Sequence, residues 1–227
     1  MEPSAEGGRS AARGADSLRV TEIFLSLQGE GDSTGWPTVF VRLTGCPLRC
    51  HYCDTPYAFH GGERIAIPEI LRRVAGYGVR HLTLTGGEPL AQPAALPLLS
   101  ALCDQGYRVS LETSGALDLA EVDRRVVKVM DLKTPGSGEV ERNRYCNLEH
   151  LAPQDQVKFV ICDRVDYDWA REQIAHYDLT AFCQVLLSPA SGRQDARELA
   201  EWVLADRLPV RFQIQLHKVL WGEARGR

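Results

Sequence analysis

The sequence predicts an α/β fold, an open partial barrel of the (β/α)6 type built from parallel strands. Three observations carry this expectation. Short runs of aliphatic and β-branched residues alternate with helix-like segments along most of the 227 residues, as repeated right-handed βαβ crossovers require. Polar and glycine-rich clusters recur at the C-terminal ends of these runs, where parallel α/β folds hold ligands. Six strands follow a leader strand, or seven counting the last, too few to close an eight-fold barrel.

The elements follow in order. Residues 1–17 are rich in Ala, Gly, Ser and charge, and are expected to be a disordered leader. Residues 18–227 are expected to form one domain. The leader strand is 18–24. Then comes Leu27-Gln28-Gly29-Glu30-Gly31-Asp32-Ser33-Thr34-Gly35, a glycine-dense loop whose spacing, with no helix after it, does not fit a dinucleotide fingerprint. Strand 38–43 follows, carrying Arg42, a charge in an otherwise apolar run that calls for a partner or a ligand. Helices are predicted at 68–77, 96–105, 119–125, 167–176 and 194–205. Strands are predicted at 81–85, 107–112, 126–131, 156–161, 182–187 and 210–216.

Composition excludes several classes. Hydrophobic residues make up 44% and charged residues 25%, ordinary values for a compact domain. A net charge of -4 gives no bulk attraction to nucleic acid or anionic lipid. No apolar run approaches the roughly 20 residues of a membrane span, and residues 1–17 lack the apolar stretch of a secretory signal. The expectation is a cytoplasmic protein with neither nucleic acid nor membrane as partner.

Chemistry concentrates at the strand ends. Cys46, Cys50 and Cys53 fall within eight residues directly after strand 38–43. Three thiolates can ligate one metal centre and leave it a ligand short. Three readings stand at this point: a 4Fe-4S cluster with one iron open, favoured by the spacing; a zinc site completed by His51 or His60; and a redox dithiol of Cys50 and Cys53. The absence of a second ligand pair weighs against zinc. The four other cysteines are read as core residues. Further along, Gly86-Gly87 lets a ligand approach the backbone closely. Glu112 and Ser114 offer a carboxylate and a hydroxyl to a ribose, Lys133 a positive charge to a carboxylate, and Ser188 lies at the end of the strand 182–187.

Cys46-x3-Cys50-x2-Cys53, with Tyr52 before the third cysteine, resembles the cluster loop of the radical S-adenosylmethionine (SAM) enzymes, and Thr85-Gly86-Gly87-Glu88-Pro89 resembles their glycine-rich motif. Within that superfamily the chain is similar to the 7-carboxy-7-deazaguanine synthase family. The Leu27–Gly31 loop, the Phe40–Cys46 lead-in and the Cys53-Asp54-Thr55 continuation carry the likeness, which runs from about residue 18 to the 215–218 segment.

The resemblance implies a carbon–nitrogen lyase that converts 6-carboxy-5,6,7,8-tetrahydropterin to 7-carboxy-7-deazaguanine with loss of ammonia, a step toward 7-deazapurines such as queuosine. It implies that Cys46, Cys50 and Cys53 bind the cluster, that Thr55 binds Mg2+, and that Gly87, Glu112, Ser114, Lys133 and Ser188 hold SAM. Leu27, Gln28, Gly29, Arg42 and Thr85 match substrate-contacting positions. It further implies a flavodoxin or ferredoxin reductant and a homodimer. The rival readings are a glycyl-radical-enzyme activase, disfavoured by the Leu27–Gly31 loop and by Arg42, and a non-catalytic zinc-binding module.

Overall fold

The computed structural model describes residues 16–227. Its backbone forms one sheet of nine strands: β1 (Ser17–Leu27), β2 (Pro37–Leu43), β3 (Glu63–Ala66), β4 (His81–Gly86), β5 (Arg108–Thr113), β6 (Val127–Asp131), β7 (Gln156–Ile161), β8 (Gln184–Pro189) and β9 (Arg211–Phe212). Their order across the sheet is β3-β1-β2-β4-β5-β6-β7-β8-β9. β1 pairs antiparallel with both β2 and β3, and every pairing from β2 to β9 is parallel. The two edges, β3 and β9, do not pair with each other, so the barrel is open.

The parallel strands are buried on both faces, as helical crossovers require. In β4, Leu82 and Leu84 join the apolar core with Val39, Val41 and Leu111 and with the buried residues of α1 (Ile67–Ala75) and α2 (Ala95–Asp104). The alternate residues Thr83 and Thr85 hydrogen-bond Ser110 and Glu112. Period-two alternation therefore separates an apolar layer under the helices from a polar inner face. α3 (Arg164–His176) and α4 (Ala196–Asp206) start where Asp163 and Asp195 accept hydrogen bonds from the Asp166 and Glu198 amides, at 2.9 Å each. These are side-chain N-caps.

The loop between β1 and β2 reveals the curvature. Gly31 N donates to Gln213 Oε1 at 2.8 Å, Leu216 N donates to Gly29 O at 3.1 Å, and Arg211 pairs with Asp32 at 2.7 Å. One loop near the β3 edge thus grips the segment around β9 at the opposite edge. Only a rolled sheet brings these together.

Five sequence expectations need correction, the simplest being that Cys146, read as a core residue, is exposed. No helix forms at 119–125, because Asp118 and Asp123 accept from the nearby Ala120 and Arg125 amides while Asn147 takes the Leu119 amide. Such side-chain bonds compete with helical ones. The strand expected at 210–216 is only Arg211–Phe212, and the chain then turns into α5 (Leu216–Trp221). β3 was not expected, since its four residues bury only Ile65. The leader boundary also moves: Ser17 begins β1 and Asp16 O accepts from Ile67 N. The rest of the leader expectation, residues 1–15, lies outside the described residues.

Candidate active site

A cavity of about 220 Å³ opens at the C-terminal ends of the parallel strands. Cys46, Cys50 and Cys53 line one side, with Thr55 and Tyr52 from the same loop, and Arg42, Thr85, Gly87, Glu112, Ser114 and Lys133 complete the wall. Leu27 also reaches it. The structure therefore gathers most of the sequence-predicted site residues around one space.

The cysteine loop and the glycine turn are locked together. Gly45 lies at φ 98° and Gly86 at φ 152°, conformations L side chains rarely adopt. A Cβ on Gly87 would stand 2.1 Å from Gly45 O and 2.8 Å from Cys46 Cβ. Glu88 N donates to Gly45 O at 2.8 Å. The buried Glu88 carboxylate accepts from Thr113 Oγ1, Ser114 N and Ser114 Oγ, at 3.0, 2.7 and 2.6 Å. The turn after β4 is thus bolted to the ends of both neighbouring strands.

The three thiols are unpaired and half-buried. Burial pushes all three above the ordinary thiol range, Cys50 to about 11. A positive metal centre reverses that balance by favouring thiolates. Among the described residues, no set of three or more His, Cys, Asp or Glu side chains converges on a single-ion site. Three thiols lining one cavity suit a cluster, in which separate irons each take one thiolate. The backbone cradle at Gly87 fits a ligand beside them.

A chain of buried charge crosses the cavity. Lys133 Nζ lies 2.6 Å from Asp131 Oδ2, and Lys158 Nζ lies 3.3 Å from Asp131 Oδ1 and 2.7 Å from Glu30 Oε2. Burial would raise the Asp131 carboxyl, but the two ammonium groups outweigh it and hold it below the usual range. Both lysines are held above theirs, the neighbouring carboxylates overcoming desolvation. Glu112 is partly buried in the cavity wall and its carboxyl is raised by desolvation; it accepts from Gln28 Nε2 at 3.3 Å and Thr85 Oγ1 at 3.2 Å.

Three predicted contacts sit behind the wall. Gln28 is buried against Thr83 and Glu112. Gly29 backs onto His217, with its carbonyl holding the Leu216 amide. Ser188 Oγ accepts from Gln213 Nε2 at 2.9 Å, and Ala190 and Ser191 take the place beside the cavity. Thr55 Oγ1 donates to Asp54 Oδ1 at 2.7 Å, and Asp54 in turn faces Lys218 Nζ at 3.7 Å.

Sequence reasoning passed over Lys158, Glu88 and Asp131 as individual residues, and placed His217 and Lys218 only as a neighbourhood. Lys158 carries the signal that marked Arg42, a charge within the apolar run Val157–Val160. Its partners Glu30 and Asp131 come from other strands and loops and leave no local pattern.

Residues 40–132, which contain the cysteine loop, the glycine turn and Glu112, match the radical SAM superfamily. The chain is accordingly a radical SAM protein, a class that uses a 4Fe-4S cluster and SAM. Curated 7-carboxy-7-deazaguanine synthases are similar over nearly the whole length. That of Chlorobaculum tepidum is 44% identical, covering 92% of this chain and 97% of the relative; that of Koribacter versatilis is 44% identical, covering 90% and 97%. The chain belongs to the 7-carboxy-7-deazaguanine synthase family. The crystal structure of QueE from Escherichia coli shares the fold, with a TM-score of 0.74 at 24% identity over 93% of this chain and 100% of that one.

Proposed function

We propose that the chain converts 6-carboxy-5,6,7,8-tetrahydropterin to 7-carboxy-7-deazaguanine with loss of ammonia, as a carbon–nitrogen lyase. The observation that carries this reading is the convergence of the three cysteines, the Gly87 cradle and the Arg42 guanidinium on one cavity. The cluster and SAM, when bound, supply the carbon radical that takes a hydrogen atom from the pterin.

The chain's residues hold and shield. Cys46, Cys50 and Cys53 are the cluster ligands. Gly87, Glu112, Ser114 and Lys133 hold SAM, with Lys133 the cation for its carboxylate. Ser188, assigned to SAM by the resemblance, is set by the hydrogen bond it accepts from Gln213. Arg42 meets the pterin carboxylate with a charged, forked donor set, beside Thr85 and Leu27. Gln28 and Gly29 act from behind, by orienting Glu112 and the α5 segment. Thr55, next to Asp54, supplies a hard oxygen to Mg2+.

Residues 17–227 act as one catalytic domain, working in the cytoplasm as a homodimer with a flavodoxin or ferredoxin as electron donor. No helix among the described residues is long and apolar enough to cross a membrane. Anaerobic reconstitution with iron and sulfide, followed by SAM, a reductant and the carboxypterin, should give 7-carboxy-7-deazaguanine. SAM cleavage with hydrogen abstraction from a partner protein and no deazapurine would establish the activase reading instead.

A further inference from the structure

We propose that Glu22 and Tyr57 are positioning residues for Arg42, fixing one edge of its guanidinium so that the other edge faces the substrate carboxylate. The proposal rests on the reading of Arg42 as the carboxylate contact.

Glu22 on β1 and Arg42 on β2 are register partners. Arg42 Nε donates to Glu22 Oε1 at 2.7 Å, and the Tyr57 hydroxyl donates to the same oxygen at 2.8 Å. The guanidinium carbon stands 5.9 Å from the Phe24 ring centroid and 6.0 Å from that of Tyr57. Arg42 lines the cavity, whereas Glu22 and Tyr57 lie behind it. With Nε committed to Glu22, the two terminal nitrogens are left for the bidentate geometry a carboxylate prefers.

A cross-strand ion pair can be no more than sheet stabilisation. Tyr57 argues for more. It comes from outside the sheet, four residues after Cys53, and reaches the same carboxylate oxygen. The ring also carries the Arg225 guanidinium at 4.2 Å. The cysteine loop and the C-terminal segment thus both bear on the setting of Arg42. If this were only packing, any anionic or neutral pterin would be affected alike by its loss. If it sets the guanidinium, only the carboxylated one would be.

The test uses anaerobically reconstituted holoenzyme and two probes, 6-carboxy-5,6,7,8-tetrahydropterin as substrate and tetrahydropterin without the carboxylate as inhibitor. Glu22→Ala is expected to raise KM for the substrate about tenfold, as loss of a charged hydrogen bond would, with kcat and the inhibitor's affinity changed less than about threefold. Tyr57→Phe, which deletes one oxygen and keeps the test alive should Glu22→Ala not fold, is expected to raise the same KM about threefold. Glu22→Ala/Arg42→Ala should be no worse than Arg42→Ala. If Arg42→Ala selectively weakens the carboxylated pterin while Glu22→Ala and Tyr57→Phe do not, the positioning role is wrong and the reading of Arg42 stands. Equal weakening of both pterins by Glu22→Ala also overturns it. If Arg42→Ala leaves the preference for the carboxylated pterin intact, the reading of Arg42 fails first.

Discussion

Gly87 is a residue whose missing side chain does the positioning. Its α-carbon packs so closely on the cysteine loop that a methyl group would meet backbone atoms, Gly45 O at 2.1 Å and Gly45 C at 2.5 Å, which cannot rotate away. Gly87→Ala should push the Gly45-Cys46 segment outward, at an overpacking cost of about 1–3 kcal/mol. Iron bound per chain after anaerobic reconstitution should fall below wild type; an unchanged value would show that the loop yields without disturbing its thiols. The Lys158 ammonium makes a different residue-scale case, because Glu30 and Asp131 both depend on it. Lys158→Met fits the volume but leaves Glu30 with only the Gln215 amide and Asp131 with only Lys133, and should cost about 3 kcal/mol in urea unfolding. Asp131 also sets a pH dependence. Its folded carboxyl lies below the ordinary 3.8, so its contribution is complete above that value and is lost as pH falls through the folded pKa. Urea midpoints measured downward from pH 6 should therefore drop below about pH 4 more steeply in wild type than in Asp131→Asn.

At the scale of the element, the crossover between β5 and β6 shows how a segment with helical apolar spacing can be taken by side-chain bonds instead. Leu119 and Val122 are buried as a helix face would be. Yet Asn147, from a short turn before β7, takes the Leu119 amide at 3.2 Å and donates to Gly115 O at 2.9 Å and Leu117 O at 2.7 Å. That single amide serves three backbone groups from 28 to 32 residues away, which no local reading of the sequence exposes. Asn147→Ala should leave them buried and unpaired, costing about 2–3 kcal/mol. Hydrogen exchange at the Leu119 amide should quicken by more than the change in global stability explains. A uniform change across the chain would mean that the crossover opens only with the whole fold. Elements whose bonds are local fared differently. The helices Ile67–Ala75, Ala95–Asp104 and Ala196–Asp206 lie close to expectation because apolar period and punctuation by Pro, Gly or Asp both sit in the segment itself.

The whole molecule is a rolled sheet whose open side is clasped by the loop after β1. Alternating elements and polar strand ends made the parallel half and the ring of site residues legible, since both follow from local pattern and one topological rule. The clasp was not legible, because Gly31 and Gln213 are 182 residues apart and meet only once the sheet curves. The same curvature brings Cys46, Cys50 and Cys53 to one cavity with Lys133 and Glu112, contributed by different strands. Ligand binding on this plan ties together elements that the apolar core alone joins only through neighbours. Occupancy should therefore appear as global stability. SAM added to cluster-loaded protein at about one hundred times its dissociation constant should stabilise the fold by roughly 2.7 kcal/mol. For a domain of this size that corresponds to a rise in Tm of about 5–10 °C. The cluster must be present for this, because the thiols otherwise offer SAM no iron. In protein stripped of iron by a chelator, and in the Cys46→Ala/Cys50→Ala/Cys53→Ala variant, the same SAM concentration should shift the anaerobic melting curve much less. An equal shift in all three preparations would place SAM binding elsewhere in the barrel.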